Sequence, residues 1–384
     1  MSDEIPAGWK SEEHAFYADS VRKFLAAELT PNIEKFRKQG MVDRELWSKA
    51  GEAGFLGATI PEEFGGGGSP LSFDAVVSYE QARCGDSSWG FAIQSIVIHY
   101  LVTYGSEEQK QRWLPGLASG EFIAALAMTE PGCGSDLQAI STLAEREDGQ
   151  LRLNGSKTFI TNGQLANLIC VAARTEEAEG GRGVSLVFVE TDDAAGFRRG
   201  QNLEKIGMKG QDTSELFFED LMVPEANLLG GEGGKGFVQM MKQLPWERLT
   251  IGTSALGAMD LMIDETVRYT QDRKLFKKRL FDLQNTRMKL AEAKTKTEVL
   301  RSFVDDCVAR LDAGTLDAPT ASMVKWWGSQ MQCEVADECL QLFGGYGYMA
   351  EYPIARLYTD ARVQKIYAGA NEVMKELIAR SLDV

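Results

Sequence analysis

The chain has 384 residues, of which 44% are hydrophobic and 25% charged, enough for several packed layers around a large core that needs no covalent staples. Its net charge of -15 and pI near 4.8 exclude the basic footprint that nucleic acid or anionic lipid requires, and no apolar run is long enough for a membrane span. The cysteines at 84, 133, 170, 307, 333 and 339 form no CxxC pair and no zinc-like spacing, which points to a reducing compartment and no bound metal.

The opening residues, MSDEIPAGWK, carry neither a basic and apolar export signal nor an Arg-rich amphipathic leader, so the expected setting is the cytoplasm, or the mitochondrial matrix for a processed eukaryotic form. From Ser11 to Arg112 the pattern is helical. Phe16, Val21, Phe24 and Leu25 are expected to share one face, Thr30-Pro31 reads as a cap followed by proline at the first helical position, and Gly40 closes that helix. The run FGGGGSP from Phe64 to Pro70 reads as a flexible turn and lacks the Lys-Ser/Thr ending of a phosphate loop.

Near Phe122 the period shortens towards two. Strands are expected at Phe122 to Met128, Leu168 to Ala173, Ser185 to Glu190 and Glu215 to Leu221, with Asp148-Gly149, Asn154-Gly155 and Asn162-Gly163 as turns. Helical spacing returns after Gly236, for example at Leu283, Leu290, Thr297, Leu300, Val304, Cys307 and Leu311, stopped by Gly314. The reading is an α+β protein with a helical section over 1–121, a β section over 122–235 and a helical section over 236–384.

Several short runs could carry chemistry. Gly231 to Gly236 fits GxGxxG, but Pro224 and Asn227 precede it and an all-helical section follows, so it reads as a hinge and not as a dinucleotide fingerprint. In Met128-Thr129-Glu130-Pro131-Gly132-Cys133-Gly134-Ser135-Asp136 the glycines allow close backbone approach to a ligand, and Thr129 and Ser135 supply hydroxyls. Phe159-Ile160-Thr161-Asn162-Gly163 is by itself a strand ending in an Asn-Gly turn, and Glu247 beside Arg248 is by itself a solvated or dipole-compensating acid. His14 and His99, the only histidines, sit in the N-terminal helical section without a motif around them.

Taken together and in order, these runs resemble the acyl-CoA dehydrogenase family over nearly the whole chain. Met128 to Asp136 is similar to its TEPGxGSD signature and Phe159 to Gly163 to its (W/F)I(T/S)NG strand. Arg273, Phe276 and Gln284 keep its RxxF and following Gln, and Gln341 to Gly345 its Q(I/L)(F/H)GG. The resemblance implies an N-terminal helical domain, a middle β-barrel and a C-terminal four-helix bundle. It also implies FAD held by Met128, Thr129, Gly134, Ser135, Phe159, Ile160 and Thr161 of one chain, by Arg273, Phe276, Gln284, Gln341, Gly344 and Gly345 from a neighbour, and by Ala370 and Glu372 of the tail. A planar guanidinium such as that of Arg273 suits a pyrophosphate. Shared cofactor sites imply a homotetramer, and the family's electron acceptor is an electron-transfer flavoprotein.

The tail run IYAGANEVMKELIAR, Ile366 to Arg380, has Ala368 where most of the family places its catalytic glutamate, and Ala370 in place of the usual hydroxyl residue. Glu247, read as lying at the start of a long helix, matches the relocated base of the long-chain and isovaleryl-type branch. The implied reaction is α,β-dehydrogenation of an acyl-CoA to a trans-2-enoyl-CoA. Glu247 would take the α-proton, the Ala368 N–H would hold the thioester oxygen together with a ribityl hydroxyl of FAD, and Ser135, Arg248 and Gly369 would contact substrate. The competing readings are a sibling acyl-CoA flavoprotein, a desulfinase or an oxidase, and a base-less flavoprotein subunit without catalytic activity.

Overall fold

The structure, a computed structural model, describes residues 9–175 and 180–383; the first eight residues, part of the segment read for targeting, lie outside the described residues. Among the described residues no helix is long and apolar enough to cross a membrane.

The first section is helical. α1 (Glu12–Phe24) starts on a capping box in which Ser11 and His14 bond each other's backbone N–H. A π turn and a 3-10 turn at Thr30–Asn32 lead into α2 (Ile33–Gln39), which stops at Gly40 with φ 78°. Phe16 does not join the expected face: it is 75% exposed, while Val21 and Leu25 are buried. Five residues at 100° each put Phe16 about 140° around the helix from Val21, and His14 takes the inward position instead.

α3 (Arg44–Glu52) precedes the glycine run, which is pinned and not flexible. Gly67, Gly68 and Ser69 donate to the carbonyls of Gly57, Ile60 and Ala58, and a Cβ on Gly66 would meet the Ile60 carbonyl oxygen at 2.1 Å. α4 (Ser72–Arg83), α5 (Phe91–Tyr104) and α6 (Glu107–Ser119) follow. α4 and α5 bury residues on all sides, as central helices do.

The middle section is a seven-stranded sheet of β1 (Ala124–Ala127), β2 (Leu143–Glu147), β3 (Gln150–Thr161), β4 (Leu168–Arg174), β5 (Val184–Glu190), β6 (Phe197–Asn202) and β7 (Thr213–Pro224). β4 and β5 read LICVAAR and VSLVFVE because both of their faces are covered. Alternate residues serve two cores: Cys170, Ala172, Leu186 and Phe188 face the helices, where Trp113 stacks on Phe188 at 5.0 Å, and Ile169, Val171, Val187 and Val189 face the inside of the sheet.

Asp148-Gly149 is the expected hairpin turn, with both φ angles positive, and Asn162 begins another. Asn154-Gly155 is no turn. It lies within β3 at a register shift against β7, where the Asn154 amide bonds Asp220 across the strands. A bulge and a turn favour the same residue types, so composition alone does not separate them.

The last section holds α7 (Gly236–Asp272), a small hairpin of β8 (Lys274–Leu275) and β9 (Lys278–Arg279), α8 (Gln284–Asp312), α9 (Ala318–Phe343), α10 (Pro353–Ala361) and α11 (Asn371–Arg380). α7 and α9 cross closely at glycines, since a Cβ on Gly328 would lie 3.2 Å from Gly252 Cα. That approach brings the residues just before Gly252 towards the start of α9, where Arg248 reaches Ser322.

Candidate active site

A cavity of about 280 Å³ opens where the three sections meet. Trp89 and Ile93 line it from the first section, Met128, Thr129, Phe159, Ile160 and Thr161 from the sheet, and Glu247, Tyr367 and Ala368 from the helical bundle. The two residues singled out by the missing tail glutamate, Glu247 and Ala368, thus share one chamber.

Glu247 does not start a helix. α7 begins at Gly236 and runs through Pro245, whose ring imitates a first-turn signal although it removes only one hydrogen bond from a well-packed helix. Mid-helix placement removes the dipole-compensating reading, because that effect fades within the first turn. Glu247 is only 7% exposed, and its Oε1 accepts a 2.9 Å hydrogen bond from the Tyr100 hydroxyl of α5. Burial pushes its pKa up to about 7 against the opposing pull of the Tyr100 bond and the Arg248 charge. A carboxylate of this kind is partly ionised at neutral pH and strong enough to take a weakly acidic proton.

Arg248 is buried behind it and does not line the cavity; Nη1 donates to Ser322 Oγ of α9 at 3.1 Å. Ala368 and Gly369 have φ of 51° and 91°, and Ala370 then serves as the N-cap position of α11 with no side-chain bond. A left-handed alanine costs on the order of 1 kcal/mol or more, so the surroundings must hold it. They do so from α9: the buried Lys325 ammonium donates to Gly369 O at 2.6 Å and to Asn371 Oδ1 at 3.0 Å. Gly369 and Ala370 are half-buried and Glu372 is exposed.

On the sheet side the two signature runs are tied together. The Thr158 N–H donates to Thr129 O at 2.9 Å, and buried Lys157 bonds Met128 O at 3.0 Å and Glu130 Oε1 at 2.8 Å. Burial raises the Glu130 pKa, but the Lys157 charge and the bonds from Lys157, Ser141 and Thr142 outweigh this and hold it at about 2. Phe159 has φ 59° at a bulge between Lys157 and Ile160 and is 67% exposed, so a large aromatic is presented outward on strained backbone. Gly134 and Ser135 lie on the exposed loop beyond the cavity wall.

The remaining cofactor candidates lie elsewhere. Arg273, Gln341, Gly344 and Gly345 line a separate cavity of about 770 Å³ at the end of the bundle. Arg273 rests over the Tyr346 ring at 5.4 Å and pairs with no carboxylate among the described residues. Phe276, 82% exposed, tips the β8–β9 hairpin with φ 50°, and exposed Gln284 opens α8. These residues suit a dinucleotide flavin: one aromatic for a ring face with hydroxyls beside it, and a guanidinium free for phosphate with a second outward aromatic at a distant place.

The chain matches three family models in order: acyl-CoA dehydrogenase N-terminal domain over 11–121, middle domain over 125–221 and C-terminal domain over 234–382. It is 48% identical to the mitochondrial long-chain specific acyl-CoA dehydrogenase of Rattus norvegicus, across 97% of this chain and 87% of that protein. The chain belongs to the acyl-CoA dehydrogenase family. The crystal structure of an acyl-CoA dehydrogenase from Geobacillus kaustophilus superposes with a TM-score of 0.96 at 45% identity, covering 99% of this chain and 100% of that one. A chain in the structure of the electron transferring flavoprotein of Acidaminococcus fermentans superposes with a TM-score of 0.93 at 33% identity, covering 100% and 99%.

As a member of a family of flavoproteins, the chain is an oxidoreductase that dehydrogenates acyl-CoA thioesters. Sequence reasoning missed Tyr100, Lys325 and Asn371. Tyr100 and Lys325 lie 147 and 44 residues from the groups they bond, and no local pattern marks such contacts.

Proposed function

We propose that Glu247 is the base that removes the α-proton of the bound acyl-CoA, giving the trans-2-enoyl-CoA. The observation that carries this is a deeply buried carboxyl, with its pKa at about 7, in the same cavity as the left-handed Ala368 turn. FAD, when bound, supplies the acceptor for the β-hydride at its N5 atom. Met128, Thr129, Phe159, Ile160 and Thr161 would hold the ring from this chain. Gly134 and Ser135 of the signature loop would reach the more distant parts, with Ala370 and Glu372 at the tail.

The Ala368 N–H donates to the thioester oxygen and stabilises the enolate that forms as the proton moves to Glu247. Replacing the usual glutamate side chain by a methyl leaves that backbone donor in place. Tyr100 orients the Glu247 carboxylate, and Arg248 lends positive charge behind it.

Arg273, Phe276, Gln284, Gln341, Gly344 and Gly345 lie outside this cavity and would serve the FAD of a neighbouring subunit, which supports a homotetramer. Identity to the long-chain enzyme supports a long acyl chain, and the likeness to a chain in the flavoprotein structure supports an electron-transfer flavoprotein as acceptor. Free thiols at all six cysteines suit a reducing setting such as the cytoplasm or a mitochondrial matrix.

The test is Glu247→Gln, which keeps size and can still accept the Tyr100 bond. Flavin reduction by a good acyl-CoA should slow by about 10²- to 10⁴-fold, with substrate binding retained. Reduction at the parental rate would show that the base is another group.

A further inference from the structure

We propose that Lys325 of α9 is a positioning residue for the dehydrogenation: its ammonium clamps the Ala368–Gly369 turn and so aims the Ala368 N–H at the thioester oxygen. The inference rests on the reading of that N–H as the oxyanion donor. Lys325 is 0% exposed and makes no ion pair among the described residues. A buried ammonium without a counter-ion is unfavourable, and helix packing alone would be served better by an apolar side chain of similar length.

Its protons are spent on the tail. One goes to Gly369 O at 2.6 Å, the carbonyl directly after the left-handed Ala368, and one to Asn371 Oδ1 at 3.0 Å, which also accepts from Ser329 Oγ at 3.0 Å. Asn371 is the first residue of α11, so α9 grips the turn on both sides of Ala370. A Cβ at Gly369 would lie 2.5 Å from Met374 Cε, so the Met374 side chain packs directly on the turn.

The charge matters as well as the bond. Burial and the neighbouring Arg248 lower the Lys325 pKa to about 8, against the pull of Glu372, so the side chain is mostly charged at neutral pH. A cation fixed in the turn that carries Ala368 also favours negative charge on the thioester oxygen held there.

The experiment uses the holoenzyme and an acyl-CoA with two methyl groups on the α-carbon, at the chain length the enzyme turns over fastest. Without α-hydrogens this probe cannot react, so the infrared stretch of its thioester carbonyl reports hydrogen bonding whether or not Glu247 is the base. In the parent the bound carbonyl frequency should fall below its value in water. In Lys325→Met at least half of that fall should be lost.

With an ordinary substrate, kcat of Lys325→Met should drop by about 10- to 100-fold with KM little changed, as expected for a misplaced donor. Lys325→Arg, which keeps the charge, should recover part of both signals. If Lys325→Met does not fold or hold flavin, Ser329→Ala, which loosens only Asn371, should give the same two changes at smaller size. A carbonyl frequency and kcat equal to the parent in whichever of these variants folds would overturn the proposal.

Discussion

The Tyr100 hydroxyl, on a central helix of the first section, donates a 2.9 Å hydrogen bond to Glu247 Oε1 in the bundle. The bond stabilises the ionised carboxyl and is the largest influence holding down a pKa that burial drives up to about 7. Tyr100→Phe should therefore raise the pKa further, by about one unit, since a hydrogen bond to a charged group contributes about 1.5–3 kcal/mol. The acidic limb of the kcat/KM profile should move to higher pH, with about fivefold loss near neutrality and near-parental rates well above it. An acidic limb that stays in place would mean that Tyr100 only fills space.

The same burial makes Glu247 a stability cost. A carboxyl whose folded pKa exceeds its unfolded value, here about 7 against 4.5, contributes stability that is present below the unfolded pKa and lost as pH rises through the folded one. The loss is roughly 3 kcal/mol once the group is ionised. Glu247→Gln should accordingly melt at a higher temperature than the parent near pH 8, with the advantage shrinking towards pH 5. A melting difference that does not vary with pH would contradict the raised pKa.

Much of this arrangement is legible in one dimension because it is local. The runs Met128 to Asp136 and Phe159 to Gly163 sit beside one another as their motifs imply, and the apolar runs of β4 and β5 announce strands covered on both faces. What is not legible follows from long-range packing. Pro245 imitates a helix start, but contacts along α7 carry the helix through it. Asn154-Gly155 has turn chemistry, but pairing with β7 makes it a bulge. The partners of Glu247 and Gly369, Tyr100 and Lys325, are fixed only when distant helices meet.

Lys157 and Glu130 form a buried pair that joins the two signature runs. Lys157→Met leaves the Glu130 carboxylate buried without its counter-charge and frees Met128 O, so unfolding should be easier by about 3–5 kcal/mol and flavin should be lost sooner. Adding Glu130→Gln removes the stranded charge and should return most of the melting temperature. Flavin retention should return less fully, because the Lys157 bond to Met128 O is still missing. If the second substitution restores nothing, the pair is not coupled in the manner the geometry requires.

Arg273 faces the larger cavity with no carboxylate partner among the described residues. Arg273→Ala should leave the fold and melting of the flavin-free protein close to parental. The holoenzyme should release FAD more readily on dilution or gel filtration, because a guanidinium that grips phosphate in two places is removed. Unchanged flavin content in the variant would detach this residue from the cofactor.

Restoring a carboxylate at the tail tests the geometry of the whole chamber. Glu247 and Ala368 line the same cavity from α7 and from the turn before α11, so a glutamate at either place can extend into one space. Ala368 already has φ 51°, and a glutamate there adds no new backbone strain over alanine, since both carry a Cβ. In the Glu247→Gln background, Ala368→Glu should recover part of the flavin-reduction rate, while Ala368→Gln should recover none because an amide cannot take the proton. The recovered activity should favour shorter, straight chains, since the new side chain takes room from one wall while the glutamine introduced on α7 still fills the other. Rates of flavin reduction across a series from butyryl- to stearoyl-CoA provide the measurement. Equal slowness of the single and double variants on every chain length, with FAD retained in both, would mean that the tail position does not reach the α-carbon in this protein.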